Sequence, residues 1–176
     1  EPLVGAKRVQ RITPSGRGSP EATPCVNTPA ARFCAQATRG AAAMIEALNT
    51  HTLQLVGICL THGHADHAEG IDRLLEYREV PIYLGPEDIE LLAWRPRVDL
   101  LAAPSDGHAI RVGRRTIHCL ATPGHTPGGI CYRVDDPSQP VCFVGDTLFA
   151  GSIGRSNPSD LYRTHLNSVS QRVLAL

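Results

Sequence analysis

The stretch Thr61-His62-Gly63-His64-Ala65-Asp66-His67 places three imidazoles and one carboxylate within seven residues. It directly follows an apolar segment, residues 53–60, that is typical of a buried strand. Histidine nitrogens suit zinc, iron, nickel and copper, and a neighbouring aspartate can add an oxygen ligand. The alternative is a polar loop with surface histidines, but the aspartate and the flanking strand and helix patterns argue against it. The stretch therefore predicts a metal site at the end of a strand.

Two later segments carry the same kind of side chain in the same kind of place. Thr122-Pro123-Gly124-His125-Thr126 and Gly145-Asp146-Thr147 each follow an apolar strand-like run and open a loop. Loops at one edge of a sheet can converge on a single cleft, so residues distant in sequence can share a metal ion. Taken alone, His125 would be a surface histidine and Asp146 could form an Asx turn. Their shared placement favours metal ligands.

Beyond residue 40 the chain alternates helix-like and strand-like patterns. The predicted strands span residues 53–60, 81–84, 109–112, 116–121, 130–134 and 141–144. The predicted helices span residues 41–48, 68–77, 86–94 and 158–174. Residues 1–40 are instead rich in Pro, Gly, Ser, Thr, Ala and Arg and have no regular period, so we predict a disordered leader there and one domain over residues 41–176.

The composition is that of an ordinary globular protein, with 176 residues, zero formal net charge and 42% hydrophobic residues. No charge excess indicates a nucleic acid or an anionic membrane surface as a partner. No stretch of the sequence approaches the roughly 18 consecutive apolar residues of a membrane span, and no secretory signal begins at Glu1.

The cysteines do not form a recognisable disulfide or metal-binding pattern. There are six of them: Cys25, Cys34, Cys59, Cys119, Cys131 and Cys142. No CxxC pair is present, and four of the six lie within apolar strand-like runs. Single cysteines pack like small hydrophobic residues, so we predict buried free thiols in a reducing cytosol and a cytoplasmic location.

The three polar segments resemble, in order, the metal-binding motifs of the metallo-β-lactamase superfamily. They read THGHADH at residues 61–67, TPGHTPGG at 122–129 and VGDTLFAGSIGR at 144–155. They are most similar to the glyoxalase II-like branch, the hydroxyacylglutathione hydrolases and their short bacterial relatives. The resemblance covers about residues 41–176 and implies an α/β fold, a four-layer αβ/βα sandwich in which two mixed sheets pack face to face with helices outside.

The resemblance also implies a site for two metal ions, which we expect to be zinc, with iron as the other option. The implied ligands are His62, His64 and His125 for the first ion, Asp66 and His67 for the second, and Asp146 as the carboxylate that bridges both. The family has N-terminal strands with an Asp-Pro-Gly turn and a C-terminal Gly-His-Gly turn whose histidine completes the second site. Neither turn occurs in this sequence, so we expect a fragment that is incomplete at both ends.

A site for two metal ions indicates which reaction to expect. Two divalent ions would lower the pKa of a bound water towards neutrality and polarise a substrate carbonyl, which favours acyl hydrolysis by a metal-bound hydroxide. A thioester suits this reaction because its thiolate leaving group has a conjugate-acid pKa of about 8.5. Asp66 would be both a ligand and the residue that orients the hydroxide. Arg155 aligns with a basic residue near the glutathione moiety in glyoxalase II enzymes, so a small-molecule thioester such as hydroxyacylglutathione is the expected substrate.

Two alternatives stay open at the level of sequence. The first is an Fe(II) persulfide dioxygenase of the same superfamily, with one iron held by the residues that correspond to His62, His125 and Asp146. The second is an inactive fragment. The other histidines lie in no motif, and we expect surface or packing positions for them: His51, His108, His118 and His165. The sequence indicates no oligomeric state.

Overall fold

The apolar segment before the histidine-rich stretch forms a strand inside a parallel four-stranded sheet. The computed structural model describes residues 31–34, 40–137, 140–156 and 159–176. The strands of this sheet lie side by side in chain order: β1 (Ala31–Cys34), β2 (Gln54–Cys59), β3 (Ile82–Tyr83) and β4 (Leu101–Ala102). Because every neighbouring pair is parallel, the carboxyl ends of the strands meet at one edge.

The second half of the chain forms an antiparallel sheet, again in chain order. Its strands are β5 (Ala109–Val112), β6 (Arg115–Ala121), β7 (Ile130–Val134) and β8 (Val141–Phe143). A short separate ribbon pairs β9 (Leu148–Phe149) with β10 (Ser152–Ile153). The expectation of two mixed sheets was wrong for the described residues. The hairpin-like connections of the second sheet reverse the chain at each strand, which makes it wholly antiparallel.

Helical segments cover the outer faces of the sheets. The α-helices are α1 (Ala41–Thr50), α2 (Ala65–Ala68), α3 (Ile71–Tyr77) and α4 (Tyr162–Ser168), and α4 continues into a π-helical segment, Val169–Val173. Four short 3-10 helices complete the described part of the chain: Pro86–Leu91, Val98–Leu100, Gly145–Thr147 and Ser159–Leu161.

Three helix predictions were wrong in detail. The helix predicted over residues 68–77 begins only at Ile71, because Gly70 precedes it with a φ of 91° that a regular helix does not use. The helix predicted over residues 86–94 is a 3-10 helix that ends at Leu91. The helix predicted over residues 158–174 is divided among 3-10, α and π segments. An apolar period locates a buried face, but it does not distinguish these hydrogen-bonding patterns.

Three apolar clusters separate the helices and sheets into four layers. The first lies between the parallel sheet and helices α1 and α3, where Leu55 and Leu74 are fully buried. The second lies between the two sheets and contains Cys59 from β2 and Ile117 from β6. The third lies between the antiparallel sheet and the C-terminal helical segment, to which Val173 belongs. The order helix, sheet, sheet, helix agrees with the expected αβ/βα sandwich.

Buried hydrogen bonds join the two sheets where β2 ends. The Tyr132 hydroxyl, carried by β7, lies 3.0 Å from the carbonyl oxygens of both Leu60 and Tyr83. The Ile130 N–H donates to the Thr61 carbonyl oxygen at 2.8 Å. These contacts fix the chain immediately before the histidine-rich stretch.

The leader prediction falls only partly on described residues. β1 lies within residues 1–40 and pairs with β2, so the predicted disorder does not hold for these four residues. Their strand conformation depends on hydrogen bonds to a segment further along the chain, which local composition does not reveal. The prediction for residues 1–30 and 35–39 lies outside the described residues.

The prediction of buried free thiols is confirmed for the cysteine side chains that the structure describes. These are buried free thiols: Cys59, Cys119, Cys131 and Cys142. Cys25 and the side chain of Cys34 lie outside the description. In the described part of the chain, no helix has both the length and the apolar character needed to cross a membrane.

Replacing Tyr132 by Phe removes the hydroxyl and keeps the ring in the core. We expect Tyr132→Phe to lower the free energy of unfolding by about 1–3 kcal/mol, because the buried Leu60 carbonyl oxygen loses the Tyr132 hydroxyl, whereas the Tyr83 carbonyl oxygen keeps the Leu60 N–H as a donor. Tyr77→Phe is the matched control, since the Tyr77 hydroxyl donates to Asn49 at an exposed position, and it should cost less than about 0.5 kcal/mol. Equilibrium urea unfolding measures both variants. Equal losses would contradict the role of the Tyr132 hydroxyl between the sheets.

Candidate metal centre

His62 is the buried centre of the histidine cluster. It follows Thr61 at the end of β2, is 2% exposed, and its Nδ1 lies 3.1 Å from the Thr61 hydroxyl oxygen. Its Nε2 is also buried and has no hydrogen-bond partner among the described residues. A buried polar nitrogen without a hydrogen-bond partner costs free energy. Such atoms are rare in folded proteins, so this one needs a structural reason. A metal ion bound to Nε2 would satisfy this atom, so the residues present fit a metal.

A first group of donors surrounds this nitrogen. His62, His64 and His125 each offer a ring nitrogen, and the three atoms lie within 4.8 Å of one another. His125 Nε2 is 3.1 Å from His64 Nδ1. His125 Nδ1 is 2.6 Å from the Arg155 carbonyl oxygen, which can only accept, so the ring proton resides on Nδ1. The lone pair of His125 is therefore on Nε2 and faces the group, in the tautomer that a metal ligand needs.

A second group of donors shares His62 with the first. It consists of His62, His67 and Asp146, again with donor atoms within 4.8 Å. His67 Nε2 lies 3.3 Å from Asp146 Oδ1, and Asp146 Oδ2 lies 3.8 Å from His125 Nε2. The structure thus brings five of the six proposed ligands together. Asp66 lies outside both groups, because its side chain is 79% exposed, and its Oδ2 lies 3.6 Å from His67 Nε2.

Burial sets the charge of the cluster. It lowers the pKa of His62 to about 2, and the neighbouring His67 and His125 rings act in the same direction. Burial also lowers the pKa of His125. Burial alone would raise the pKa of Asp146, but the hydrogen bond from His67 and the nearby imidazoles outweigh it and lower this pKa. Near pH 7, His62 and His125 are therefore neutral and Asp146 is ionised, which are the forms that bind a metal ion.

Two buried residues near the site were missed as contributors. Asp88 lies in the helix predicted over residues 86–94 and was not among the predicted site residues, yet its carboxylate accepts hydrogen bonds from both histidine-bearing loops. His165 is fully buried, and its Nε2 lies 2.8 Å from the Thr147 carbonyl oxygen while its Nδ1 lies 3.1 Å from the Ser156 hydroxyl oxygen. It thereby holds the loop that follows Asp146, which agrees with the packing position predicted for it. No local pattern in the sequence marks either residue.

The other three histidines lie outside both donor groups. His51 and His108 are exposed. His118 Nε2 lies 2.8 Å from Asp135 Oδ2 on the antiparallel sheet. These positions agree with the surface and packing positions predicted for them.

Comparison with known proteins identifies the family of this arrangement. A family model described as the metallo-beta-lactamase superfamily matches residues 33–176. The hydroxyacylglutathione hydrolase of Salmonella paratyphi A (strain ATCC 9150 / SARB42) is 36% identical over 127 residues, which are 70% of this chain and 47% of that protein. The protein of the same name from Marinomonas sp. (strain MWYL1) is 40% identical over 101 residues, 57% of this chain and 36% of that protein. The chain thus spans about half or less of the length of these relatives.

Solved structures show the same fold. The metallo-beta-lactamase from Staphylococcus aureus subsp. aureus COL has a TM-score of 0.67 and 25% identity, covering 80% of this chain and 44% of that one. TTHA1623 in a di-iron-bound form has a TM-score of 0.65 and 26% identity, covering 83% of this chain and 76% of that one. The α/β fold class expected from the sequence is confirmed.

Gly124 provides a test of how tightly the loop before His125 is packed. Its φ is 148°, and a Cβ added there would lie 2.3 Å from His165 Cα. We expect Gly124→Ala to lower the free energy of unfolding by at least about 1 kcal/mol more than Gly107→Ala, because overpacking adds to backbone strain. Gly107 is the control, since it also has a positive φ, 77°, but no heavy atom lies within 4 Å of its added Cβ. Thermal unfolding compares the two, and equal losses would contradict the close packing at Gly124.

Proposed function

The chain belongs to the metallo-β-lactamase superfamily, and from this premise we propose that it is a metal-dependent hydrolase of small-molecule thioesters. The observation that carries the proposal is the pair of donor groups that share His62, whose buried Nε2 has no hydrogen-bond partner among the residues that the structure describes. The relatives named hydroxyacylglutathione hydrolase support hydroxyacylglutathione as the substrate to test first.

We propose zinc as the metal and assign the ligands by group. The proposed set is His62, His64 and His125 for the first ion, Asp66 and His67 for the second, and Asp146 between them. Imidazole nitrogens and carboxylate oxygens are common zinc ligands. Asp66 is the one proposed ligand outside the donor groups, and its exposed side chain can reorient when an ion binds. The same residue is the proposed catalytic residue that orients the attacking water.

Bound divalent ions would supply an activated water and a positive charge beside the thioester carbonyl. The residues of this chain prepare the site for such ions in two ways. Burial keeps His62 and His125 neutral, so that their nitrogens are available as ligands at neutral pH. The Arg155 carbonyl holds His125 in the ligand tautomer. A thioester suits the site because its thiolate leaves without strong help from a general acid.

Iron chemistry is the second candidate, because a di-iron-bound protein is among the structural neighbours. The His125 ring lies 4.7 Å from the His62 ring, and its Nε2 lies 3.8 Å from Asp146 Oδ2. These three residues could form a 2-His-1-carboxylate iron site. A persulfide dioxygenase of this kind would consume oxygen, whereas a thioester hydrolase would not.

The test is thioester hydrolysis by the zinc-loaded chain. We expect His62→Ala to reduce kcat/KM for hydroxyacylglutathione by more than about 100-fold. Changing a residue that only hydrogen-bonds to a metal ligand costs about 10- to 100-fold, and loss of the ligand itself should cost more. His51→Ala is the matched control, since His51 is exposed and outside the cluster. The assay follows loss of the thioester, with metal content measured in parallel.

Two outcomes of this assay would contradict the proposal. No turnover of any glutathione or CoA thioester by zinc-loaded protein would reject it. Iron-dependent oxygen uptake with glutathione persulfide would replace it with the second candidate.

Arg155 is the proposed contact for the anionic part of the thiol carrier. Its side chain is exposed. It lies beside the first donor group, because the backbone carbonyl of Arg155 accepts a hydrogen bond from His125. Arg155→Met keeps that carbonyl and removes the charge, so we expect KM to rise about tenfold with little change in kcat. Arg111→Met, at an exposed position of β5, should leave KM unchanged. Steady-state kinetics measure both. A fall in kcat at constant KM would contradict this role.

A further inference from the structure

Asp88 is a buried carboxylate that is not one of the proposed metal ligands. It lies on the 3-10 helix Pro86–Leu91 and is 0% exposed, and among the described residues it is the only acidic side chain that is buried. Burying a carboxylate is costly unless hydrogen bonds compensate it. The hydrogen bonds of Asp88 must therefore offset the cost of its burial.

Its two oxygens accept hydrogen bonds from two loops of the metal centre. Asp88 Oδ2 accepts from the Gly63 N–H at 3.1 Å and from the Thr126 hydroxyl at 2.7 Å. Asp88 Oδ1 accepts from the Gly128 N–H at 2.7 Å. Gly63 lies between two proposed ligands of the first ion, and Thr126 directly follows the third. One carboxylate thus connects the two loops that carry the first donor group.

The packing around Asp88 leaves no room for adjustment. A Cβ added to Gly63 would lie 2.3 Å from the Asp88 carbonyl oxygen, and one added to Gly128 would lie 2.8 Å from Asp88 Oδ1. A Cβ added to Gly85 would lie 2.0 Å from the Gly128 carbonyl oxygen. The 3-10 helix and both loops are therefore in close contact, and the Asp88 carboxylate lies within that contact.

We propose that Asp88 is a positioning residue for the metal centre. It holds the loop of His62 and His64 against the loop of His125, and it thereby sets the affinity of this group for a divalent ion. The inference rests on the proposed metal-dependent function. Its test, however, reads metal affinity, which is independent of any substrate.

Asp88→Asn tests this role, because it changes the hydrogen-bond acceptors of the side chain and nearly keeps its shape. All three partners are donors, and a carboxylate can accept on both oxygens. An amide can accept on one atom only, so its NH2 group must face the N–H of either Gly63 or Gly128. We expect Asp88→Asn to weaken zinc binding by about 10- to 100-fold. Glu87→Gln is the matched control, an adjacent exposed acid that should change the affinity less than about twofold.

The measurement is competition for zinc between the whole chain and a chromophoric chelator. It is made at a temperature well below the thermal unfolding midpoint of each metal-free variant. A loss of zinc affinity is then not caused by a loss of folded protein. A lower midpoint with unchanged zinc affinity would assign Asp88 a structural role only and overturn the inference. A native chain that binds no zinc would overturn the proposed function together with it.

Thr126→Val is the second variant, for the case in which Asp88→Asn does not fold. It keeps the shape of the side chain and removes one of the three donors to Asp88. We expect a smaller loss of zinc affinity, about three- to tenfold, because two donors remain. Thr116→Val, on β6 and away from the site, is its control. Unchanged affinity in Thr126→Val and in any folded Asp88→Asn protein would overturn the inference.

Discussion

The hydrogen bond from the Ile130 N–H to the Thr61 carbonyl oxygen is the contact on which the site depends most. It joins the start of β7 in the antiparallel sheet to the segment that leaves β2 in the parallel sheet. The Tyr132 hydroxyl reinforces the junction one residue earlier, at Leu60. Buried bonds of this kind are shielded from competition by water. Because Thr61 is held in this way, His62 enters the cleft at a position set by the pairing of two sheets rather than by loop preference.

Four imidazole rings share this cleft, and the most buried of them, His62, is neutral there. The ring centroid of His62 lies 4.1–4.8 Å from those of its three histidine neighbours. Two unit charges 4 Å apart repel by about 4 kcal/mol at an effective dielectric constant of 20. Burial and mutual repulsion lower the pKa of His62 to about 2 for this reason. The fold thus accepts a buried nitrogen that has no hydrogen-bond partner in the described part of the chain, a local cost that is typical of functional sites.

Sequence reasoning predicted that the three polar segments converge, because each of them follows the end of a strand. Each proposed ligand segment follows an apolar strand, and the structure places His62, His125 and Asp146 at one edge of the sheets, as this rule predicts. What it missed depends on contacts between distant segments. Asp88 lies 25 residues from Gly63, to which it bonds, and nothing near it in sequence marks it as an acceptor. The 3-10 and π segments were missed for a related reason, since packing against the sheets selects them and an apolar period does not.

The two donor groups are unequal, and this bears on the order in which ions bind. His62 offers Nε2 to one ion only, because its Nδ1 lies against the Thr61 hydroxyl. If that ion also uses His64 and His125, it has three nitrogen ligands, one held in its tautomer by a backbone carbonyl. The other ion then keeps His67 and Asp146, with the exposed Asp66 still to be oriented. Preorganised ligands bind more tightly than ligands that must be ordered. We therefore expect the first site to fill first, so that the one-metal protein is the state from which a two-metal centre is assembled.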